Sequence, residues 1–269
     1  MSFSLVYKTY LNDLKWIRYS LLSVEKYVKD IDQIVIYYHN ECQKEFEQMM
    51  STIHLTIPCQ TIAVGYDYHG YIKQMVVKCL SFRDVTTDYI VFLDSDVIFK
   101  KTFSPKNKFV SDPTTHTTQI TWNVLRKCNE NKNESVWSVW GKSVQRMTNN
   151  PMNTYYMYNG FPFIFKRSTL ENAYHKFIQI HGVDYDQFCK IWLNKYGIYC
   201  QDPIVGSNGK FHQLAQIFEE FEYLGWFSEN FTHDYVFING PSNDGQYRDQ
   251  YWSHGGITDE IKRSLEKTI

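Results

Sequence analysis

The first 40 residues contain no glycine at all. Phosphate-cradling loops of the P-loop and dinucleotide-binding kinds need glycines at the first strand-to-helix turn, so both are excluded. No stretch of about 18 apolar residues occurs, so nothing in the chain reads as a membrane span. The opening, MSFSLVYKTYLNDLKW, lacks a basic head followed by an apolar core and does not read as a signal peptide. A soluble, cytoplasmic protein is therefore expected, with the sequons Asn133-Glu134-Ser135 and Asn230-Phe231-Thr232 left unmodified. Cysteine is sparse, with six in 269 residues, and no pair has CxxC spacing. That removes a zinc knuckle, and the chain is too long for a disulfide scaffold. Reduced, mostly buried thiols are expected. An excess of one charge is also missing. The 28 basic and 29 acidic residues give a net charge of −1, without a Lys/Arg cluster, so no nucleic-acid partner is expected.

What is present supports a sizeable core. Hydrophobic residues make up 43% and charged residues 21%, which suits one large domain and excludes disorder. Phe3–Tyr7 predicts a first strand. An apolar stripe through Leu14, Ile17, Leu21, Leu22 and Val24 predicts a helix capped by Asn12 or Asp13. Ile34–Tyr38 is apolar throughout, as strands covered on both faces are. A polar helix is expected from Glu41 to about Met50, a weaker strand over Ile53–Ile57 and another at Ile62–Val64. A helix is predicted over Tyr71–Phe82, then the strongest strand, Tyr89–Leu93. Such alternation predicts an α/β fold with a mostly parallel, helix-flanked sheet.

The second half is less regular. Residues 104–118 read as a loop, Trp122–Cys128 and Val136–Trp140 as a hairpin, and 147–160 as irregular. Phe161–Phe165, interrupted by Pro162, suits an edge strand. Helices are expected over Thr169–Ile180, Tyr185–Lys195, Gln213–Leu224 and Ile257–Lys267.

Asp94-Ser95-Asp96 follows the strongest strand directly. In parallel sheets ligands bind beyond the carboxyl ends of the strands. Two carboxylates there suit Mn²⁺ or Mg²⁺, which complete their shells with water and substrate phosphates. The same pair would also serve a nucleotidyltransferase or phosphatase. A phosphatase motif normally opens its fold, whereas this one follows several strand–helix units, and a nucleotidyltransferase would show a Gly-rich phosphate loop. A non-catalytic carbohydrate-binding module is the third reading. A second triplet, Asp184-Tyr185-Asp186, follows no strand and reads as a helix start.

Val6-Tyr7-Lys8-Thr9-Tyr10 with Asp13, Tyr71-Ile72-Lys73-Gln74 with Lys78, and the run Tyr89 to Phe99 around the acidic triplet together resemble the GT-A glycosyltransferases. They are similar in particular to small soluble enzymes of large algal (chlorella) viruses that glycosylate the major capsid protein. The resemblance implies a single GT-A domain over 1–269. Residues 1–100 would form the nucleotide-sugar half, and 101–269 an acceptor half with a smaller mixed sheet and a C-terminal closing loop. It implies transfer from a nucleotide diphosphate sugar, a UDP-sugar, to a glycan or glycoprotein acceptor by inverting displacement. Lys8, Thr9 and Tyr10 would bind the nucleotide. Gln74 and Lys78, one turn apart on one helix face, would meet it together with Asp94 and Ser95. Asp94 and Asp96 would hold the metal, joined by His254 of Trp252-Ser253-His254-Gly255-Gly256, with His233 as the alternative. Glu220, or next Glu222, in Phe218-Glu219-Glu220-Phe221-Glu222-Tyr223 would be the general base. On a regular helix Glu219 and Glu222 share a face and Glu220 points elsewhere, so at most one side is expected to be buried. Trp137, Trp140 and Asn159-Gly160-Phe161-Pro162 are candidates on the acceptor side.

Overall fold

The computed structural model describes residues 1–65, 68, 70–111, 118–120, 125–129, 143–150, 154–158, 162–196, 218, 220–232, 248–251 and 256–269. The opening units follow the expected order: β1 (Phe3–Thr9), α1 (Leu14–Tyr27), β2 (Gln33–His39), α2 (Gln43–Met50), β3 (Cys59–Val64), α3 (Gly70–Leu80) and β4 (Tyr89–Leu93). Short strands β5 (Val97–Phe99), β6 (Phe109–Ser111), β7 (Thr118–Ile120), β8 (Leu125–Asn129) and β9 (Thr154–Tyr158) come next. They are followed by β10 (Phe163–Lys166), α4 (Arg167–His181), α5 (Tyr185–Tyr196), α6 (Glu220–Phe227), β11 (Arg248–Gln250) and α7 (Asp259–Thr268).

The central sheet has five strands in the order β10-β4-β1-β2-β3. β1 to β4 run parallel, and β10 lies antiparallel on the β4 edge. β1 and β4 are buried along their whole length. This is why their sequences are continuous apolar runs instead of alternating ones. Pro162 stands just before β10, at an edge where its missing N–H costs no ladder bond. Buried hydroxyls lock α1 to the sheet. Tyr7 Oη and Ser20 Oγ lie 2.8 Å apart, and Ser20 Oγ donates to the carbonyl of Val97 at 2.6 Å. One hydrophobic cluster runs from Phe3 to Phe227. A smaller one seats α7 through Leu265 against Trp16, Tyr19 and Ile98. Thr258 caps α7 by accepting from the Ile261 N–H at 3.2 Å. No described helix is long and apolar enough to cross a membrane.

The structure corrects several expectations. Ile53–Ile57 is not a strand. Thr52 and Ile53 fold back onto the end of α2, and Ile53, Leu55 and Ile57 pack as loop residues against the core. Pairing with β2 begins at Pro58, whose carbonyl accepts from Ile34 at 2.8 Å, so the expected strand at Ile62–Val64 is the end of β3. Residues 104–118 contain a 3₁₀ turn and the first strand of the antiparallel pair β6–β7. β8 pairs with β9, and the expected strand Val136–Trp140 lies outside the described residues. The Tyr-rich Thr154–Tyr158 has the β-branched and aromatic composition of a strand, so 147–160 is not irregular throughout. Residues 143–148 are helical. Among the described residues the second half therefore carries three two-stranded antiparallel pairs, β5–β11, β6–β7 and β8–β9. Asp13 occupies the N-cap of α1 without a capping hydrogen bond, because its side chain is buried instead. Cys42, Cys79 and Cys189 are buried outside any disulfide, as expected, while Cys59, on edge strand β3, is exposed. Asp184 caps a helix start, accepting from the Gln187 N–H at 2.8 Å.

Candidate active site

The parallel register sets Tyr7 of β1 beside Leu93 of β4. The next residues, Lys8, still paired with β2, and Asp94, just past the end of β4, therefore lie side by side at the sheet's carboxyl edge. Ser95 is buried there, with its Oγ 3.4 Å from the Lys8 carbonyl, to which it donates. The chain turns at once, Val97 N–H donating to the Asp94 carbonyl at 3.2 Å. Asp96, also buried, accepts on its carbonyl from the Tyr251 N–H at 3.0 Å. The C-terminal segment is thus tied to the acidic triplet, and β11 continues the tie by pairing with β5.

α3 brings two side chains to Asp94 from one face. Lys78 Nζ lies 2.8 Å from Asp94 Oδ1, and Gln74 Nε2 donates to the same oxygen at 3.4 Å. The shared helix face expected for the two residues is realised on one carboxylate. Lys78 is 1% exposed and also pairs with Glu220 Oε1 at 3.3 Å. Burial opposes a charge on Lys78. The carboxylates of Asp94 and Glu220 outweigh it and hold the ammonium above the usual lysine range. Glu220 is 3% exposed. Burial pushes its carboxyl up, against the pull of Lys78. Its other oxygen, Oε2, has no hydrogen-bond partner among the described residues.

Both Glu220 and Glu222 are buried, which corrects the one-sided burial expected of this helix. α6 is enclosed on all sides. Phe221 stacks on Phe163 of β10 at 3.9 Å between centroids, and Tyr223 Oη donates to the Ala173 carbonyl at 2.7 Å.

Lys8 is buried, and its Nζ donates to the Thr9 carbonyl at 2.7 Å. Burial brings its pKa down to about 8, with Lys73 and Lys78 adding repulsion against the pull of Asp13. Thr9 is buried, and its hydroxyl has no hydrogen-bond partner among the described residues. Tyr10, next along, is exposed. Two further residues at this edge, His39 and Lys73, were given no role in the sequence. Lys73 Nζ lies 2.8 Å from His39 Nε2, and His39 Nδ1 lies 3.3 Å from the Glu41 carboxylate. An ammonium only donates, so Nε2 accepts and Nδ1 keeps the proton toward Glu41. Burial first, then the neighbouring Lys73, lowers the His39 pKa. Their signal was positional: His39 ends the parallel strand β2, and Lys73 lies in the first turn of α3, one residue before Gln74.

Among the described residues, no three metal-ligating side chains converge. Two carboxylates, with substrate phosphates and water completing the shell, is the pattern that Mg²⁺ and Mn²⁺ accept, so the residues present fit such an ion. The unsatisfied Thr9 hydroxyl beside them suits a ligand at the same edge. His254, His233, Glu219, Trp137, Trp140 and Asn159-Gly160-Phe161 lie outside the described residues.

The sequence matches a family of unknown function (DUF6492) over residues 8–222. The chain belongs to the DUF6492 family. No curated protein matches it in sequence. Its fold is similar to that of the galactosyltransferase LgtC in complex with donor and acceptor sugar analogs, at 11% identity, over 88% of this chain and 73% of that one, with a TM-score of 0.45. An active-site mutant of LgtC matches at 12% identity over 80% and 70%, TM-score 0.44. The glycosyltransferase GlyE of Streptococcus pneumoniae TIGR4 matches at 13% over 91% and 46%, TM-score 0.42. These values describe a loose likeness and carry no residue role across to the DUF6492 chain.

Proposed function

We propose that this DUF6492 protein is a metal-dependent glycosyltransferase of the GT-A kind, moving a sugar from a UDP-sugar to a glycan or glycoprotein acceptor. The resemblance to enzymes that glycosylate viral capsids makes a capsid glycan the narrowest form of that acceptor. The reading rests on Asp94 at the carboxyl edge of β4, oriented by Lys78 and Gln74, with Asp96 two residues on. In the reaction the bond from the sugar's anomeric carbon to the diphosphate breaks and UDP departs with the bonding pair, while the acceptor oxygen bonds to that carbon and its proton passes to a base or to water. Asp94 and Asp96 would hold Mn²⁺ or Mg²⁺, which supplies positive charge to the departing diphosphate. The tie of Tyr251 to Asp96 supports His254, three residues later in the sequence, as a further ligand. Lys8 and Thr9 would bind the nucleotide, since one is a buried cation and the other a buried hydroxyl with an open valence. Direct displacement with inversion needs a base at the acceptor hydroxyl, the role first given to Glu220 and Glu222. Their burial, and the 3.3 Å approach of Lys78, favour Glu220 as the residue that holds Lys78 in place behind Asp94.

The test is thermal unfolding with UDP and a panel of UDP-sugars, each with Mn²⁺ and with EDTA. A ligand present at 100 times its Kd adds about 2.7 kcal/mol to the folded state. A rise in Tm that needs the metal, and that Asp96→Ala abolishes, is expected. The reading is wrong if no nucleotide raises Tm, or if EDTA makes no difference.

A further inference from the structure

Away from the Asp94 cluster, a cleft of about 480 Å³ opens between residues 143–150 and the α4–α5 corner. That volume lies within the roughly 300–1,000 Å³ of small-ligand sites. Its floor is aromatic. Trp192 and the buried Phe188 of α5 line it, their ring centroids 5.8 Å apart, with the Arg146 guanidinium 5.1 Å and the Lys195 ammonium 6.0 Å from the Trp192 ring centre. Its rim is rich in amides, contributed by Gln145, Asn149 and Asn150, and among the described residues no carboxylate lines it. The rim is built on a fixed support. Residues 143–148 bury Val144 and Met147, and the Met147 carbonyl accepts from His181 Nε2 at the end of α4 at 2.8 Å. The Thr148 hydroxyl donates to the Val144 carbonyl at 2.7 Å, and the Asn150 N–H meets that hydroxyl at 3.4 Å.

Asn149 has φ of 55°, the left-handed region that favours glycine. Glycine would satisfy the turn without strain. Asparagine tolerates it and adds, at the mouth of the cleft, an amide with both donors and an acceptor. Primary amides match the vicinal hydroxyls of a sugar ring, each of which donates and accepts.

We propose that this cleft binds an oligosaccharide, through the amides of Gln145, Asn149 and Asn150 over the Trp192–Phe188 floor. The choice of a sugar as occupant rests on the glycosyltransferase reading, and the cleft would hold part of the acceptor chain.

The full-length chain, without nucleotide or metal, is applied to an array of neutral and acidic oligosaccharides, and hits are titrated by tryptophan fluorescence. Binding to at least one oligosaccharide is expected. Asn149→Gly should weaken it at least tenfold with Tm unchanged, because glycine accepts the backbone as it stands. Asn150→Ala, at an exposed position, should weaken it in the same direction. A blank array overturns the proposal, as does undiminished binding by both variants. Metal-dependent nucleotide binding alongside a blank array sinks the cleft and leaves the transferase. Oligosaccharide binding that Asn149→Gly removes, without any nucleotide effect on Tm, keeps the cleft and sinks the transferase.

Discussion

Lys78→Met is expected to destabilise the protein by about 3–5 kcal/mol, the usual cost of removing one partner from a buried charge pair. Lys78 is 1% exposed and stands between Asp94 and Glu220. Asp94 is partly exposed and can recover water. Glu220, 3% exposed, cannot, and its carboxylate would be left buried opposite a thioether. A loss of this size is a large share of the stability of an ordinary domain, so the single variant can fail to fold. The double variant Lys78→Met/Glu220→Gln answers that. It removes both charges and should return to within about 1–2 kcal/mol of the wild type, since a buried pair replaced as a unit is often nearly neutral. Urea unfolding of the two single variants and the double variant gives the coupling directly. If Lys78→Met costs under about 1 kcal/mol, the buried triad is not what holds this corner. The double variant also separates folding from function. It should fold yet lose the metal-dependent rise in Tm with UDP, because nothing then orients Asp94.

Two members of that triad, Asp94 and Lys78, were placed by the sequence. The apolar runs of β1 and β4 announce strands buried on both faces, so Asp94 at the carboxyl edge follows from local pattern alone. Gln74 and Lys78 are four residues apart, and helix geometry puts them on one face. The partner Glu220 is 142 residues from Lys78, and no local period reports a contact of that separation. α6 illustrates the same limit. Read alone, its acids suggest a helix with one wet side, whereas Phe163, Ala173 and Lys78 enclose it from three separate elements. β9 was missed for a different reason. Its composition favours a strand, but its partner β8 lies 25 or more residues earlier, and an expected hairpin at 136–140 took that place. Lys8 was legible as a position and not as a state. The sequence places it at the end of a strand, and only the fold shows that it is buried beside Lys73 and Lys78.

That buried state makes the second prediction. Lys8→Met is expected to stabilise the protein at pH 7 and to weaken nucleotide binding. Burial takes the Lys8 pKa from an ordinary 10.5 to about 8. At about 1.4 kcal/mol per pH unit, that is a penalty on the order of 3 kcal/mol for carrying the charged form at neutral pH. Methionine keeps the apolar stem and removes the charge. The sign follows from proton counts. Between about pH 8 and 10.5 the unfolded chain holds the Lys8 proton and the folded chain has released it, so this residue's contribution makes stability rise with pH across that window. The penalty is complete below about pH 8 and gone above about 10.5, so the advantage of Lys8→Met should be largest at pH 7 and shrink to nothing by about pH 10.5. Urea midpoints of both proteins at pH 7, 9 and 10.5 test this. A difference that stays constant across the three pH values would mean that Lys8 is not carrying a depressed pKa. Functionally, a buried cation retained at such a cost suits an anionic ligand that restores its proton. Wild-type affinity for UDP should therefore fall as pH rises past about 8, and Lys8→Met should bind weakly and without that dependence. Equal affinity in the two proteins at pH 7 would remove Lys8 from the nucleotide site while leaving the argument about its burial intact.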